Sequence, residues 1–391
     1  MKYFSAQYIY TNTSSPIQRG IITTEDDGTI VSVEDHGGRL SERHSVEFYN
    51  GIIVPGFVNC HCHLELSYLK NEIPAKSGLA NFLTTVNSSR KTSKKDIHQS
   101  IRQADNEMFR EGIILCADIC NTNTTFSLKK ESRIRYISLL EVYGIDHSRA
   151  ENRLNEILTL AKQAGEMALP HWIVPHAVYS ISLPLFSLIK KHTPLNKISS
   201  IHFMESADEE ILLKTHTGPL MDSYKKFLQP FSELMISEDH TEAISKEVSS
   251  SGNLLLIHNT FITKDQINKL KSRAGLYWCL CPNSNLRIEQ KMPPVDLLTE
   301  EDCNIVLGTD SLASNDSLSI LEELKTIQKY FPSFSLETLI RWATLNGAMA
   351  LGDEIHTGSM EPGKKPGLVL LKNADLVNLK LLPATTAQRL I

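Results

Sequence analysis

The sequence predicts an α/β protein, a (β/α)8 TIM barrel with a small composite β-sandwich domain built from both chain termini. Eight short apolar runs follow one another through the middle of the chain, and helical patterns separate most of them. Continuous apolar runs are typical of parallel strands buried on both faces, and eight strand–helix units predict a barrel. The first ~50 and last ~35 residues show short strand-like runs and turns instead. The predicted boundaries are 1–52 and 356–391 for the sandwich and 53–355 for the catalytic barrel.

The composition is that of an ordinary soluble globular chain. The 391 residues carry a formal net charge of -5, and lysines and arginines form no stripe, so we predict no nucleic-acid partner. No apolar run is long enough to span a bilayer, and the N-terminus lacks a signal-peptide pattern, so we predict no membrane partner. Seven cysteines scattered through apolar segments favour buried thiols in a reducing cytoplasm over a disulfide framework.

The individual elements are predicted from apolar periodicity and turn residues. N-terminal strands are expected at 3–10, 20–23 and 29–33, with a hairpin turn at 26–28. The run Ile52-Ile53-Val54 is predicted to be a buried strand that leads into the segment 55–67. Further barrel strands are predicted at 113–118, 135–142, 172–177, 198–205, 254–259, 276–282 and 305–310. Helices are predicted at about 95–110, 149–164, 317–329 and 336–350, and a last strand at 368–371.

His61 and His63 stand two residues apart at the end of the first barrel strand. Alternate residues of a strand point to the same side, so both imidazoles can reach one metal ion. Neutral imidazole is a common ligand of zinc, iron and copper. A His-x-His pair alone is weak evidence, because two nearby histidines are more often ordinary polar residues than ligands. The metal hypothesis therefore depends on partners further along the chain.

Such partners occur at the ends of other predicted strands. Barrel enzymes place their chemistry at the C-terminal ends of the strands. A polar side chain at one strand end is usually structural, but chance does not account for this many at one rim. The strand-end residues are His61, His63, His176, His202 with Glu205, His258 and Asp310.

Three imidazoles and one carboxylate, from His61, His63, His202 and Asp310, suit one zinc ion, with ferrous iron as the alternative, and leave one position for water. A divalent ion lowers the pKa of such a water to about 7, which supplies hydroxide as a nucleophile. Asp310 can ligate the ion and also accept the proton of the water. We predict one metal ion, because no lysine ends the third or fourth strand and Glu141 is a poor substitute for a bridging ligand.

Two further residues are predicted to be catalytic. Glu205 can protonate a substrate ring nitrogen and carry a proton to the leaving group. Its alternative interpretation is a surface glutamate at a helix start. His258 can orient the hydroxide or stabilise developing charge. The alternative for His258 is a core histidine bonded to a backbone carbonyl.

Substrate contacts are predicted for His176, Glu65 and Ser67. His176 either binds substrate or is only a polar strand end. Glu65 and Ser67 follow the metal motif in a loop, and solvated loop residues are the alternative for both.

These motifs together resemble the amidohydrolase superfamily, in particular its deaminase and chlorohydrolase branch, over nearly the whole chain. The segment 55–63 is similar to the metal motif of its first strand, 176–180 to its His-Ala-Pro-Tyr-Ser element, and 202–206 to its His-x-x-Glu element. His258-Asn259 and the segment 308–311 resemble its sixth- and eighth-strand motifs. Val178 departs from the usual proline, and Pro366-Gly367 departs from the usual Ala-Asp before the last strand.

The resemblance implies a mononuclear site held by His61, His63, His202 and Asp310, with Glu205 as proton shuttle and His258 beside the attacking water. It also implies the composite sandwich and a possible homodimer. Members of the branch deaminate nucleobases and nucleosides or remove chloride from triazines. The strings at 61–67 and 308–315 are similar, more weakly, to those of aminodeoxyfutalosine deaminases.

We therefore predict a metal-dependent hydrolytic deaminase that acts on an amino-substituted heterocycle and releases ammonia. The first alternative is hydrolysis of a cyclic amide or a carbon–chlorine bond on the same site. The second alternative is a non-enzymatic binding protein that retains the fold.

Overall fold

The computed structural model describes residues 1–39, 45–92, 95–227, 234–249 and 251–391. Within these residues strands and helices alternate through the middle of the chain, and the two ends are rich in strands. The strands are β1 (Lys2–Ile9), β2 (Ile17–Gln18), β3 (Ile21–Thr24), β4 (Ile30–Glu34), β5 (Val46–Pro55), β6 (Phe57–Cys62), β7 (Ile113–Cys120), β8 (Arg135–Val142), β9 (His171–Pro175), β10 (Ile198–Phe203), β11 (Asn253–His258), β12 (Leu276–Leu280), β13 (Ile305–Leu307), β14 (Leu368–Lys372) and β15 (Thr386–Arg389).

The helices of the same residues lie mostly between the strands β6 and β14. They are α1 (Leu79–Thr92), α2 (Ile97–Arg110), α3 (Phe126–Glu131), α4 (Ala150–Glu166), α5 (Leu183–His192), α6 (Ala207–Thr215), α7 (Pro219–Phe227), α8 (His240–Glu247), α9 (Lys264–Leu270), α10 (Pro282–Glu289), α11 (Val295–Glu300), α12 (Ile320–Tyr330), α13 (Leu336–Ala343) and α14 (Leu345–Ala350). Short 3-10 segments cover Leu64–Leu69, His147–Arg149 and Val178–Ser180.

Both chain ends contribute to one mixed sheet. Its strand order is β15-β14-β5-β1-β3-β4, with β2 paired to the C-terminal end of β1. The run Ile52–Val54 lies in β5 of this sheet, where it pairs with β1 and with β14. The prediction that this run is the strand leading into the histidine motif is therefore wrong. Pro55 and Gly56 end it, and the motif lies on β6, because an apolar run alone does not reveal which sheet receives it.

Two four-stranded parallel sheets follow, β6-β7-β8-β9 and β10-β11-β12-β13, each in chain order. Isolated parallel bridges join Cys62 to Asp310 and Ala177 to His202, so the sheets approach each other at both edges. Backbone hydrogen bonds from Thr309 to the carbonyl of His61 and from His202 to that of His176 accompany the bridges, at 2.9 and 2.8 Å. The prediction of an α/β chain built on parallel strands is confirmed, and the seven strands after the first were placed to within a few residues.

The helix predictions were less complete. Helices α2, α4 and α12 lie where the apolar periodicity placed them. The predicted helix 336–350 is two helices, α13 and α14, because the backbone of Thr344 leaves the helical region with φ -133° and ψ -82°. Helices α1 and α7 were not predicted, and both line the cavity described below.

Two further findings concern the chain as a whole. Among the described residues, no helix combines the length and apolarity that crossing a membrane requires. The seven cysteines are free thiols, and all but Cys303 are buried.

Candidate active site

The strand ends bring the predicted metal ligands together. The Nε2 atoms of His61 and His63 are 3.2 Å apart, and Asp310 Oδ1 lies 3.7 Å from the first and 3.5 Å from the second. One ring nitrogen from each of His61, His63 and His202 falls within 4.8 Å of the others. His61 and Asp310, which are 249 residues apart along the chain, therefore share one centre.

Hydrogen bonds to neighbouring groups determine which atom of His202 and of Asp310 is left available to bind an ion. His202 Nδ1 donates to the carbonyl of His176 at 2.9 Å, which leaves Nε2 as the nitrogen with a lone pair. Ser284 and Ser314 donate to Asp310 Oδ2 at 2.7 and 2.6 Å, which leaves Oδ1 facing the histidines. Burial and the neighbouring imidazoles hold the pKa of the His63 and His202 rings well below the usual range, so both are neutral. Neutral imidazoles and one carboxylate are the donor set of zinc or ferrous iron, so these residues fit the implied ion.

A second group, Glu141, His176 and His202, also has ligand-type atoms within 4.8 Å of one another. It needs the His202 ring that the first group uses. Since His202 Nδ1 is bonded to a backbone carbonyl, this ring has a single free nitrogen and can serve only one of the two groups. The geometry thus favours one ion.

Glu205 and His258 lie side by side at the floor of the cavity. Glu205 Oε1 is 3.6 Å from His258 Nε2, a buried nitrogen that has no hydrogen-bond partner among the described residues. His258 Nδ1 donates to Asn285 Oδ1 at 2.7 Å, so its Nε2 carries the lone pair. Burial, reinforced by the Asp310 charge, raises the pKa of the Glu205 carboxyl well above its usual value. Glu205 is only 5% exposed, which does not fit a surface glutamate, and His258 is bonded to a side chain rather than a backbone carbonyl.

Glu209, which sequence reasoning missed, fixes the backbone that carries Glu205. Its Oε1 accepts hydrogen bonds from the backbone N–H groups of Glu205 and Ser206, at 2.6 and 3.0 Å. Ser206 and Glu209 form a capping box at the start of α6. The Ser-x-x-Glu spacing was a signal that could have revealed this contact.

The predicted substrate-binding residues divide into two groups. His176 lines the cavity and its Nδ1 is 2.6 Å from Ser180 Oγ. Glu65 and Ser67 are not among the lining residues of the cavity, and both are buried. The Glu65 carboxylate accepts hydrogen bonds from the backbone of Asn121 and Thr122, and Ser67 donates to the carbonyl of Leu64. Neither residue is a solvated loop residue, and the structure shows both holding loops in place.

The cavity above the cluster holds about 1010 Å³ of empty space, including its open mouth. Its floor carries His63, His202, Glu205, His258 and Asp310. Helices α1 and α7 form one wall. Other polar lining residues that the sequence did not single out are Thr84, Asn87, Arg90, Asn121, Tyr143, Ser223 and Tyr224.

A buried ion pair supports the loop after His63. Lys129 Nζ lies 2.6 Å from Asp118 Oδ2, and both side chains are fully buried. Asp118 Oδ1 accepts the backbone N–H of Leu64 at 2.7 Å, directly after His63. Lys129 also donates to Cys120 Sγ and to Ser138 Oγ, at 2.9 and 3.0 Å.

Gly308 offers a direct test of how tightly the cluster is packed. A Cβ atom there would lie 2.7 Å from His61 Cβ and 2.9 Å from the His61 carbonyl oxygen. We expect Gly308→Ala to lower the free energy of unfolding by about 1–3 kcal/mol and to lower the bound metal, because His61 must shift. The matched control is Gly165→Ala in α4, where the nearest atom is 3.8 Å away, and we expect no loss there. Unfolding in urea and elemental analysis measure both effects, and an unchanged Gly308→Ala protein would contradict the prediction.

The comparisons with known proteins agree with this geometry. The amidohydrolase family model matches residues 52–387. The 5-methylthioadenosine/S-adenosylhomocysteine deaminase of Pyrococcus abyssi is 26% identical over 351 residues, which cover 86% of this chain and 76% of that protein.

Solved structures show the same fold. The aminofutalosine deaminase of Helicobacter pylori has a TM-score of 0.79 at 21% identity, with full coverage of both chains. The atrazine chlorohydrolase of Arthrobacter aurescens, solved with zinc, has a TM-score of 0.73 at 18% identity and covers 95% of this chain and 87% of its own. Because the family model spans most of the chain, the resemblance inferred from the strand-end motifs is confirmed: this chain belongs to the amidohydrolase family.

Proposed function

We propose that this protein is a metal-dependent hydrolytic deaminase that converts an aminopurine nucleoside, or a similar amino-substituted heterocycle, into the corresponding carbonyl compound and ammonia. The observation that carries the proposal is the buried Glu205–His258 pair beside three imidazoles and a carboxylate. The deaminase activity of a relative that covers 86% of the chain supports the same reaction, a hydrolysis of a carbon–nitrogen bond outside peptides.

In this proposal His61, His63, His202 and Asp310 hold one divalent ion. Zinc is the preferred ion, because the donor set suits it and a structural neighbour was solved with zinc. When bound, the ion makes a water molecule acidic enough to lose a proton near neutral pH.

The chain's own residues then divide the proton transfers between them. Asp310, whose carboxylate is oriented by the two serine hydrogen bonds to Oδ2, accepts the proton of the attacking water. Glu205, whose carboxyl pKa is raised by burial, donates a proton to the ring nitrogen next to the carbon under attack. His258 Nε2, unprotonated, accepts a hydrogen bond from the attacking water and orients it. Asp310 then passes its proton to the amino group, the carbon–nitrogen bond to that group breaks, and ammonia leaves. The proton of the added hydroxyl returns to Glu205 as the carbonyl forms, so both carboxyl groups recover their starting states.

The closure of the barrel, the sandwich domain and the oligomeric state are part of the same proposal. We infer that the two parallel sheets form one closed (β/α)8 barrel, since bridges and hydrogen bonds join β6 to the end of β13 and β9 to β10. The mixed sheet of both chain ends would form the composite sandwich, and a homodimer remains a prediction.

An ammonia-release screen tests the function. Purified protein is first analysed for bound metal and then assayed on adenosine, 5′-methylthioadenosine, S-adenosylhomocysteine, guanine, aminodeoxyfutalosine and aminotriazines. We expect about one equivalent of zinc or iron per chain and ammonia from at least one adenine nucleoside, with loss of turnover after chelation and recovery on adding zinc.

The alternatives give different results in the same screen. Chloride release from a chlorotriazine, or a ring-opened acid from a cyclic amide, without ammonia from any nucleoside would favour the other hydrolases. Absence of metal and of turnover on every compound would favour the non-enzymatic binding protein.

A further inference from the structure

Two buried side chains that the proposed mechanism does not use lie behind Glu205. Glu209 of α6 and His240 of α8 are 0% and 4% exposed, and Glu209 Oε2 lies 3.8 Å from His240 Nδ1. Among the described residues, neither this oxygen nor either ring nitrogen of His240 has a hydrogen-bond partner. Buried polar atoms are costly to leave unpaired, so a hydrogen bond between these two side chains is the expected arrangement.

The other oxygen of Glu209 connects this pair to the catalytic floor. Glu209 Oε1 accepts the backbone N–H groups of Glu205 and Ser206, at 2.6 and 3.0 Å. The Glu205 carboxyl in turn lies beside His258. A change in the position or charge of Glu209, or in its partner His240, therefore reaches Glu205 through a direct contact with its main chain.

The surroundings disfavour a charge on Glu209. Its carboxyl is fully buried near that of Glu205, and in the described part of the chain no lysine or arginine lies within ion-pair distance of it. Burial, reinforced by Glu205, raises the pKa of Glu209 to about 8, and burial lowers the pKa of His240 to about 4, which favours the neutral form of both at pH 7. Other titratable groups face the pair: Tyr179 and Tyr224 lie near Glu209, and Asp239 and Lys214 lie near His240.

We propose that Glu209 is a positioning residue in its neutral acid form, in which its Oε2–H donates to His240 Nδ1 while its Oε1 holds the backbone of Glu205. This inference rests on the proposed deaminase function. Closing the 3.8 Å separation by about 1 Å gives an ordinary hydrogen bond, which provides a partner for both Oε2 and Nδ1. A negative charge on Glu209 would raise the proton affinity of Glu205, which must give up a proton and take it back in every turnover. A neutral Glu209 fixes the position of Glu205 without that effect.

Unfolding in urea at several pH values tests the proton on Glu209 without an assay of activity. A carboxyl that is protonated when folded and ionised when unfolded takes up a proton on folding, so its contribution to stability falls as the pH rises. We expect the urea midpoint of Glu209→Gln to gain on that of the wild type from about pH 5 to about pH 8 and then to level off. The other groups titrate in both proteins and cancel in the difference. A constant difference over this range would show an ionised Glu209 and overturn the inference.

Turnover of the nucleoside that releases ammonia fastest in the screen above tests the positioning role. Glu209→Gln keeps an oxygen for the two backbone N–H groups and an N–H donor for His240, so we expect kcat to stay within about threefold of the wild type. Glu209→Leu leaves those N–H groups without an acceptor and lets Glu205 move. We expect kcat to fall by at least about 10-fold with KM nearly unchanged, because Glu205 acts in the proton transfer.

Variants of His240 complete the test. His240→Phe keeps a ring but removes the acceptor for Glu209, and we expect kcat to fall by about three- to tenfold, whereas His240→Asn, with an oxygen near the position of Nδ1, should recover most of this loss. Asp265→Asn is the control, because Asp265 lines the depression beside His240 and pairs with Lys269, and it should keep wild-type kcat. Equal losses in Glu209→Gln and Glu209→Leu, or full turnover in His240→Phe, would overturn the inference. Absence of ammonia from every compound with the wild-type protein would instead overturn the proposed function, and the unfolding comparison would still decide whether Glu209 is protonated.

Discussion

Replacing Glu205 by glutamine is expected to lower kcat by about 10²- to 10⁴-fold while leaving the bound metal unchanged. Burial raises the pKa of the Glu205 carboxyl well above its usual value, which favours the protonated form that can give a proton to the substrate. Glutamine has the same shape and can still donate a hydrogen bond, but it cannot transfer a proton. The backbone bonds from residues 205 and 206 to Glu209 do not involve this side chain, so the fold around it should persist.

Ammonia release measures the turnover and elemental analysis measures the bound metal, both on the same preparation. Glu210→Gln is the control, because Glu210 lies on the same helix and pairs with Lys214 away from the cluster. We expect that variant to keep wild-type turnover. A Glu205→Gln protein with normal metal content and full turnover would remove Glu205 from the mechanism, whereas loss of metal would reassign it to the cation site.

The ligand-type residues could be predicted from the sequence because each one follows an apolar run. A buried strand is short, and a change from apolar to polar residues marks its end in the sequence. The C-terminal ends of parallel strands meet at one rim of the barrel. This reasoning placed His61, His63, His202 and Asp310 at one rim, and the structure brings them together. The roles of these residues in binding and catalysis remain predictions.

The surroundings of the cluster could not be predicted in the same way. Helix α1 was missed because its apolar residues occupy only its first half, so the cavity wall and Arg90 went unseen. Glu65 and Ser67 were assigned to the substrate from their nearness in sequence to His63, but a 3-10 segment turns both side chains into the protein. Side-chain direction in a loop depends on contacts with distant segments, such as Asn121 and Thr122, which a local pattern does not contain.

The buried pair of Asp118 and Lys129 was also absent from the sequence reasoning, and it carries the largest expected effect on stability. The Asp118 charge and the hydrogen bonds to Lys129 outweigh burial and raise the pKa of the Lys129 ammonium, so it stays charged. Lys129→Met leaves the Asp118 carboxylate buried without its cation. We expect the free energy of unfolding to fall by about 3–5 kcal/mol, and the bound metal to fall as well, because Asp118 holds the backbone after His63.

The double variant Asp118→Asn/Lys129→Met separates the charge from the packing. Asparagine keeps an oxygen for the N–H of Leu64 but carries no charge, so we expect it to recover much of the stability that Lys129→Met loses. Lys130→Met is the control, because Lys130 is the exposed neighbour on α3 and its replacement should change stability by less than about 0.5 kcal/mol. Urea unfolding of the three variants measures the differences. If the double variant were as unstable as Lys129→Met, the loss would come from packing around the lysine stem, and the uncompensated Asp118 charge would not be its cause.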